Sequence, residues 1–372
     1  MKAHSIAFSK YSAILAVCSS LVLTSCGKEP SEKIIIQTKT APSEASGQGK
    51  QRPERPPSVR PDPEFTKVTD TFGELVVWPD KKKHEFQVSV QPWPAYYYPF
   101  NKPLLFSGEN SAFAKYDRYV TEVKKQPNPH AQAEEEKLYN NNYFAKQDWE
   151  GLCNAFSYAS LSFPEPKHAV KVKGANGLDI VFEVGDLKGL LLKAFEATVP
   201  PIHFGQEFRS IEDGDDPTDI YPDQFHKFLQ VVFFGRKHPF VIDWEPGPQI
   251  WNDPIYKAST LVTLDQEDQS IVHVETFLTG AELLLNEELR NQTRADLQGT
   301  GGAEHYFSYT YDLKGELQSN GSFKVYWGIW TGSSKRLHPD YVIAPFEAEL
   351  VPKSNNKALK LEVLKELLSR AS

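Results

Sequence analysis

The stretch Trp149-Glu-Gly-Leu-Cys153-Asn-Ala-Phe-Ser-Tyr-Ala159 contains one of the three cysteines in a chain of 372 residues. Apolar residues follow the cysteine at helical spacing through Phe156 and Phe163, and Pro164 then ends the pattern. Cys153 therefore stands just inside the start of a predicted helix. A thiol in that position meets the positive end of the helix dipole, which favours the thiolate and hence nucleophilic chemistry.

The other two cysteines, Cys18 and Cys26, lie in an N-terminal segment that is typical of an export signal. A positively charged start precedes an apolar run from Tyr11 to Leu23, which is short for a permanent membrane-spanning helix. The predicted signal, residues 1–25, ends in Leu-Thr-Ser before Cys26, which resembles the lipidation box of bacterial lipoproteins. That resemblance implies lipid on the sulfur of Cys26, and Gly27 implies the outer membrane. A plain signal peptide with a chance cysteine is the alternative.

Counting the cysteines leaves Cys153 without a partner for a disulfide in the exported domain. A lone thiol outside the cytoplasm is a hazard unless it is buried or used in chemistry. It is therefore either a reactive nucleophile or a small buried apolar residue. Net charge is −8 and no long basic run occurs, so nucleic acid is excluded as an expected partner.

Composition divides the chain after the signal. Residues 26–63 are rich in proline, serine and charged groups, which predicts a disordered tether. Residues 64–150 form an aromatic-rich N-terminal extension, residues 151–350 a core of helices and strands, and residues 351–372 a C-terminal helix. This order of elements predicts an α+β fold.

Periodicity and turn residues place the individual elements. Predicted strands are 75–78, 85–90, 178–184, 239–243, 255–264, 271–278, 306–313 and 323–329. Predicted helices, beside the one that begins near Cys153, are 131–146, 187–195, 222–233 and 355–370.

A thiol enzyme needs a histidine to carry the proton and a carboxylate or amide to orient that histidine. Of ten histidines, two have informative positions: His226 at the edge of the apolar face of a predicted helix, and His338 in Leu-His-Pro-Asp-Tyr. Gln147 precedes Cys153 by six residues, the separation at which papain-like enzymes place a glutamine that helps bind the oxyanion.

Metal binding is not indicated, because neither His-x-x-x-His nor Cys-x-x-Cys occurs. The acidic turn at residues 212–217 is better explained as a solvated loop than as a calcium site. We therefore expect no metal and no other cofactor.

Several motifs, taken together in order, resemble the transglutaminase elicitor family. The signature peptide of that family, Val-Trp-Asn-Gln-Pro-Val, is matched here by Ile250-Trp-Asn-Asp-Pro-Ile255, with Asp253 in place of glutamine. The resemblance covers roughly residues 145–346. Its other elements are Cys-Asn at 153–154, Pro-Glu-Pro at 164–166, an acidic helix start at 186, Gly-Ile-Trp at 328–330 and His-Pro-Asp-Tyr at 338–341.

The resemblance implies a papain-like, transglutaminase-type core in which the cysteine helix packs on an antiparallel sheet. It also implies protein-glutamine γ-glutamyltransferase activity, in which a thiolate forms a thioester with a glutamine side chain and passes it to a lysine or another amine. The implied residues are Cys153 as nucleophile, His226 or His338 as base, Asp243 or Asp340 as the group that orients it, and Trp251 and Asn252 as wall and positioning groups. Plain core packing is the alternative for Trp251.

The sequence is compatible with three functions. The first is a lipid-anchored transglutaminase of the cell envelope, acting on protein or peptide substrates. The second is a thiol peptidase or deamidase that gives the same thioester to water. The third is a non-catalytic lipoprotein that binds a partner in the envelope. The membrane is expected as a partner through the N-terminal lipid.

Overall fold

The structure, a computed structural model, describes residues 63–141, 147–200, 202–206, 219–244, 247, 249–346 and 350–371. All of these belong to one compact unit within residues 42–372. The predicted signal peptide, Cys26 and the acidic turn at 212–217 lie outside the described residues, as does the tether up to residue 62.

Nine of the described strands form one antiparallel sheet. They are β1 (Val76–Val77), β2 (Lys83–Gln87), β6 (His203–Gly205), β7 (Phe240–Asp243), β8 (Asn252–Leu264), β9 (Ile271–Ala281), β11 (Glu304–Leu317), β12 (Phe323–Trp330) and β13 (Tyr341–Ile343). Their order across the sheet is β1-β12-β11-β9-β8-β7-β13-β6, and β2 pairs with β8. Two small pairs stand apart: β3 (Ala95–Tyr96) with β10 (Leu283–Leu284), and β4 (Val170–Lys173) with β5 (Asp179–Phe182).

Eight α-helices accompany these strands in the described ranges. They are α1 (Pro63–Phe72), α2 (Ala112–Arg118), α3 (Ala131–Asn140), α4 (Cys153–Ser162), α5 (Val184–Phe195), α6 (Pro222–Phe228), α7 (Arg294–Leu297) and α8 (Leu361–Leu368). π-Helical turns extend α2 through Val123 and α6 through Gly235. None of the described helices has both the length and the apolar character to cross a membrane.

Helices cover both faces of the sheet. The helix that begins at Cys153, α4, packs against β8, where Ser157 Oγ donates to the carbonyl oxygen of Asn252 at 2.6 Å. On the other face, Phe225 of α6 packs on the rings of Tyr309 and Trp330. Side chains alternate along a strand, so Asn252 and Asp253 of β8 point to opposite faces.

The expected α+β fold with a helix on an antiparallel sheet is confirmed at this level, but several boundaries differ. The strand predicted to reach residue 184 ends at Phe182, because Glu183 and Asp186 form a capping box that starts α5. The C-terminal helix begins at Leu361, not at residue 355, and the predicted helix at 131–146 ends at Asn140 within the described residues.

Helix α2 has no counterpart in the sequence prediction. Its polar and apolar residues show no clean period, and its stability comes from tertiary burial of Phe113 and Tyr116, which are both fully buried. Ser111 caps it by accepting a hydrogen bond from the amide of Ala114.

Candidate functional site

Cys153 is the first residue of α4, as the sequence predicted. The preceding turn is fastened to an aromatic segment, because the amide of Leu152 donates to the carbonyl oxygen of Tyr97 at 2.6 Å. A Cβ at Gly151 would lie 2.6 Å from that same oxygen, so this close approach requires glycine. The backbone contact just before the helix start therefore helps to set the position of the thiol.

The thiol of Cys153 is held in a buried pocket against the Ile250–Asn252 segment. Its Sγ donates to the carbonyl oxygen of Ile250 at 3.5 Å, and the side chain is 8% exposed. Burial raises the pKa of the thiol to about 12; backbone hydrogen bonds from Asn252 and Asn154 oppose this, while Asp243 adds to it. The thiol is therefore protonated in this state at neutral pH.

Asn252 joins the cysteine helix to the sheet. Its Nδ2 donates to Asn154 Oδ1 at 2.6 Å, and its Oδ1 accepts from the hydroxyl of Tyr341 at 2.9 Å. The residue is fully buried. This side chain thus fixes the residue that follows Cys153, which supports the positioning role expected for Asn252.

Trp251 and Asp243 belong to the same site. Asp243 Oδ1 accepts the backbone amide of Trp251 at 2.9 Å, and the Trp251 indole donates to Gln249 Oε1 at 3.1 Å. The indole also contacts the ring of Tyr97, with centroids 6.3 Å apart. Trp251 therefore directly follows Ile250, whose carbonyl oxygen accepts from the thiol, and Asp243 holds its backbone amide.

Asp253 points to the opposite face of the sheet, where His305 meets it. The His305 Nδ1 lies 2.5 Å from Asp253 Oδ2, and the ring contacts Trp244 at 5.1 Å. Burial raises the pKa of the Asp253 carboxyl. Asp253, which stands where the family has glutamine, is therefore paired with a histidine 52 residues away along the chain. No local sequence pattern indicates this pairing.

His226 is not brought to Cys153. Its Nδ1 is 2.7 Å from the hydroxyl of Tyr311, on the face of the sheet that carries α6. Tyr311 lies six residues along β11 from His305, the residue that meets Asp253 next to Asn252. Six residues of a strand span about 20 Å. Burial lowers the pKa of His226 to about 4, so the ring is neutral at physiological pH.

His338 is also engaged away from the thiol. Its Nδ1 donates to the carbonyl oxygen of Ser334 at 2.8 Å, its Nε2 lies 2.8 Å from Asp219 Oδ2, and its ring stacks on Trp330. Asp219, which the sequence analysis did not select, is therefore the carboxylate that orients His338. Asp340 instead donates its backbone amide to the carbonyl oxygen of Asp243 at 3.2 Å.

The structure thus brings together Cys153, Asp243, Trp251 and Asn252. Across the residues that the structure describes, no histidine forms a hydrogen bond with the thiol. His203 of β6, also not predicted, lies on the same face of the sheet as Asn252, with its ring 4.5 Å from Tyr341. The side chain of Gln147 is exposed, and its backbone amide donates to Glu150, so it forms no contact with the thiol.

In the described ranges, no group of three or more histidine, cysteine or acidic side chains is arranged to hold a metal ion. The acidic turn at 212–217 lies outside those ranges.

Comparison with known proteins gives one family and one fold. The model of the transglutaminase elicitor family matches residues 135–372. Among solved structures, the GP42 transglutaminase from Phytophthora sojae is similar, with a TM-score of 0.57 and 17% sequence identity, over 83% of this chain and 97% of that chain. None of the curated proteins compared matches this chain.

Proposed function

The chain belongs to the transglutaminase elicitor family, and on that premise we propose that it is a protein-glutamine γ-glutamyltransferase whose nucleophile is Cys153. The observation that carries the proposal is the placement of the thiol. It lies at the start of α4, its Sγ donates to the carbonyl oxygen of Ile250, and the backbone amides of Asn252 and Asn154 act to lower its pKa against the effect of burial. These amides and the helix dipole stabilise negative charge on sulfur or on a nearby oxyanion.

The reaction proceeds through two acyl transfers. The Cys153 thiolate attacks the carboxamide carbon of a glutamine side chain, an S–C bond forms, and the C–N bond breaks as nitrogen takes a proton and leaves as ammonia. An amine, such as a lysine side chain, then attacks the thioester and expels the thiolate. The acyl group ends on the amine as an isopeptide, and the enzyme is regenerated.

The resting thiol needs a proton acceptor, and we propose His338 for that role. Support comes from its link to the site: Asp340 follows it closely, donates its amide to Asp243, and Asp243 holds the amide of Trp251. His226 is disfavoured because the hydroxyl of Tyr311 holds it under α6, on the face of the sheet opposite α4. In this state His338 stacks on Trp330 and so lies on the face that carries α6. The proposal therefore requires the segment that carries His338 to move when substrate binds, so that the ring leaves Asp219 and Trp330 and reaches Cys153. The papain-like arrangement of the core is part of the same proposal.

Amine incorporation tests the function. Purified protein is mixed with casein and monodansylcadaverine, and fluorescence bound to casein is measured beside released ammonia. We expect incorporation by the wild type, none by Cys153→Ala, and a loss of at least 100-fold in His338→Asn, since general bases contribute about 10²–10⁴-fold. The exposed His130→Asn serves as the matched control. Equal incorporation by Cys153→Ala and wild type would overturn the assignment, and ammonia release without incorporation would replace it with a deamidase.

A second candidate is a non-catalytic binding protein with the same fold. It is favoured by one observation: the thiol is buried, its pKa is raised to about 12, and no described histidine hydrogen-bonds to it. Absence of both amine incorporation and ammonia release over a panel of glutamine proteins would support this candidate.

We also propose export and lipid anchoring at Cys26, which rest on the N-terminal sequence alone. Protein or peptide substrates of the cell envelope follow from that location. Labelling of cells with a fatty acid analogue tests the anchor: Cys26→Ser abolishes the label if the proposal is right, and an unchanged label would show that the box is not used.

A further inference from the structure

A cavity of 410 Å³ lies beside α6 and its π-helical extension. Its wall includes Trp78, Phe86, His226, Phe234, Lys237 and Val262. Trp78 is 55% exposed, which is high for a tryptophan, while the His226 side chain is almost fully buried. The volume falls within the roughly 300–1,000 Å³ of small-molecule sites.

His226 provides a buried polar group in this wall. Its Nδ1 pairs with the hydroxyl of Tyr311, which in turn lies 2.9 Å from Thr276 Oγ1. Among the described residues, Nε2 has no hydrogen-bond partner. The hydroxyl pair can reverse its direction, so His226 can present either a proton or a lone pair at Nε2. His226 lines the cavity and Tyr311 already engages its Nδ1, so Nε2 is the ring nitrogen that a ligand in the cavity can meet.

Lys237 provides a cation in the same wall. Its ammonium lies 4.0 Å from the centroid of the Phe86 ring, and no carboxylate in the described part of the chain pairs with it. The neighbouring His84, in contrast, is paired with Asp80 at 3.2 Å. The wall also contains the carboxylate of Glu85, which pairs with Lys83 at 2.8 Å and with Lys257 at 3.3 Å. The cavity thus combines aromatic walls, a neutral imidazole and, in Lys237, a positive charge that no described carboxylate balances.

We propose that this cavity binds a small amphipathic anion. Its flat apolar body packs on Trp78, its anionic group meets Lys237 above the Phe86 ring, and a hydrogen-bonding atom reaches Nε2 of His226. Binding here is independent of the chemistry of Cys153, whose helix lies on the opposite face of the sheet.

Titration with 1-anilinonaphthalene-8-sulfonate, an aromatic anion of this shape, tests the proposal by calorimetry on the whole protein. We expect one saturable site that persists after Cys153 is alkylated. Lys237→Asn should weaken binding about tenfold, as loss of a charged hydrogen bond does. Lys81→Asn is the matched control, because Lys81 also has a left-handed backbone (φ 58 against 63) but is not part of the wall, and it should change affinity less than twofold.

A second measurement locates the ligand without mutating a buried residue. The ¹⁵N shift of His226 Nε2 should move on saturation, while that of the exposed His130 stays constant. The proposal is overturned by absence of saturable binding, by equal weakening in Lys237→Asn and Lys81→Asn, or by saturation without a shift at His226.

Discussion

The thiol of Cys153 donates a hydrogen bond to the carbonyl oxygen of Ile250, with Sγ and O 3.5 Å apart. This contact ties the thiol to the segment that carries the family signature. It also keeps the proton on sulfur, because a thiolate would face the carbonyl oxygen with like charge. In this state the thiol therefore keeps its proton and its hydrogen bond to Ile250, and any nucleophilic reaction first requires loss of that proton.

Alkylation of Cys153 by iodoacetamide should be slow at pH 7. With burial raising the pKa to about 12, only about one thiol in 10⁵ is ionised at that pH. The rate should rise about tenfold per pH unit from 7 to 10, as followed by intact mass. A plateau below pH 8 would show that the thiol is already activated in the free protein.

Tyr341→Phe should destabilise the fold by about 1–2 kcal/mol, because it removes the donor to the buried Asn252 Oδ1. Urea unfolding measures the change. Tyr326→Phe is the control: Tyr326 is half-exposed, its hydroxyl donates to Glu316, and its removal should cost less than about 0.5 kcal/mol. Equal losses of unfolding free energy in the two variants would mean that the hydrogen bond to Asn252 stabilises the fold no more than an exposed one does.

Stability should fall on acidification below pH 6.5 because of His226. Burial lowers its folded pKa to about 4, so between pH 6.5 and 4 the unfolded chain binds a proton that the folded chain does not. The free energy of unfolding should drop by about 2 kcal/mol from pH 7.5 to pH 5 through this group. His226→Gln, compared with wild type by urea unfolding at both pH values, should lose that part of the slope. An unchanged slope would contradict the buried neutral imidazole.

Lys188→Met should destabilise the protein by about 3–5 kcal/mol, because it leaves a buried ion-pair partner uncompensated. The Lys188 ammonium donates to Pro94 O, Glu165 Oε1 and Gln292 O at 2.7–2.9 Å, and its side chain has no exposure. Thermal and urea unfolding measure the effect. The exposed Lys171→Met, which breaks a surface pair with Asp179, should cost less than about 0.5 kcal/mol.

The local sequence pattern was sufficient to predict the helix that begins at Cys153 and the long strands. The start of α4 at Cys153 and its end before Pro164 follow from spacing and from a breaker that cannot continue a helix. The strands β8, β9, β11 and β12 were predicted, although each is longer in the structure, because pairing with neighbours extends a strand beyond its apolar run.

The partners of the histidines could not be predicted, because they arise from pairings between distant segments. His338 meets Asp219 across 119 residues, and His305 meets Asp253 across 52. Sequence spacing carries no information on such contacts, and Asp243 and Asp340 were selected instead because the family resemblance implied them. Helix α2 was missed for a related reason, since tertiary burial and not amphipathic period stabilises it.

The proposed reaction depends on a thioester between Cys153 and a glutamine side chain. The direct test incubates the protein with a glutamine peptide in the absence of amine, quenches it in acid and maps the adduct by mass spectrometry. We expect the peptide acyl group, less ammonia, on the fragment that contains Cys153, and its loss when an amine is added before the quench. An acyl group on a different residue would rule out this thioester. Glutamine turnover with Cys153 unmodified throughout, together with unchanged activity in Cys153→Ala, would also rule it out.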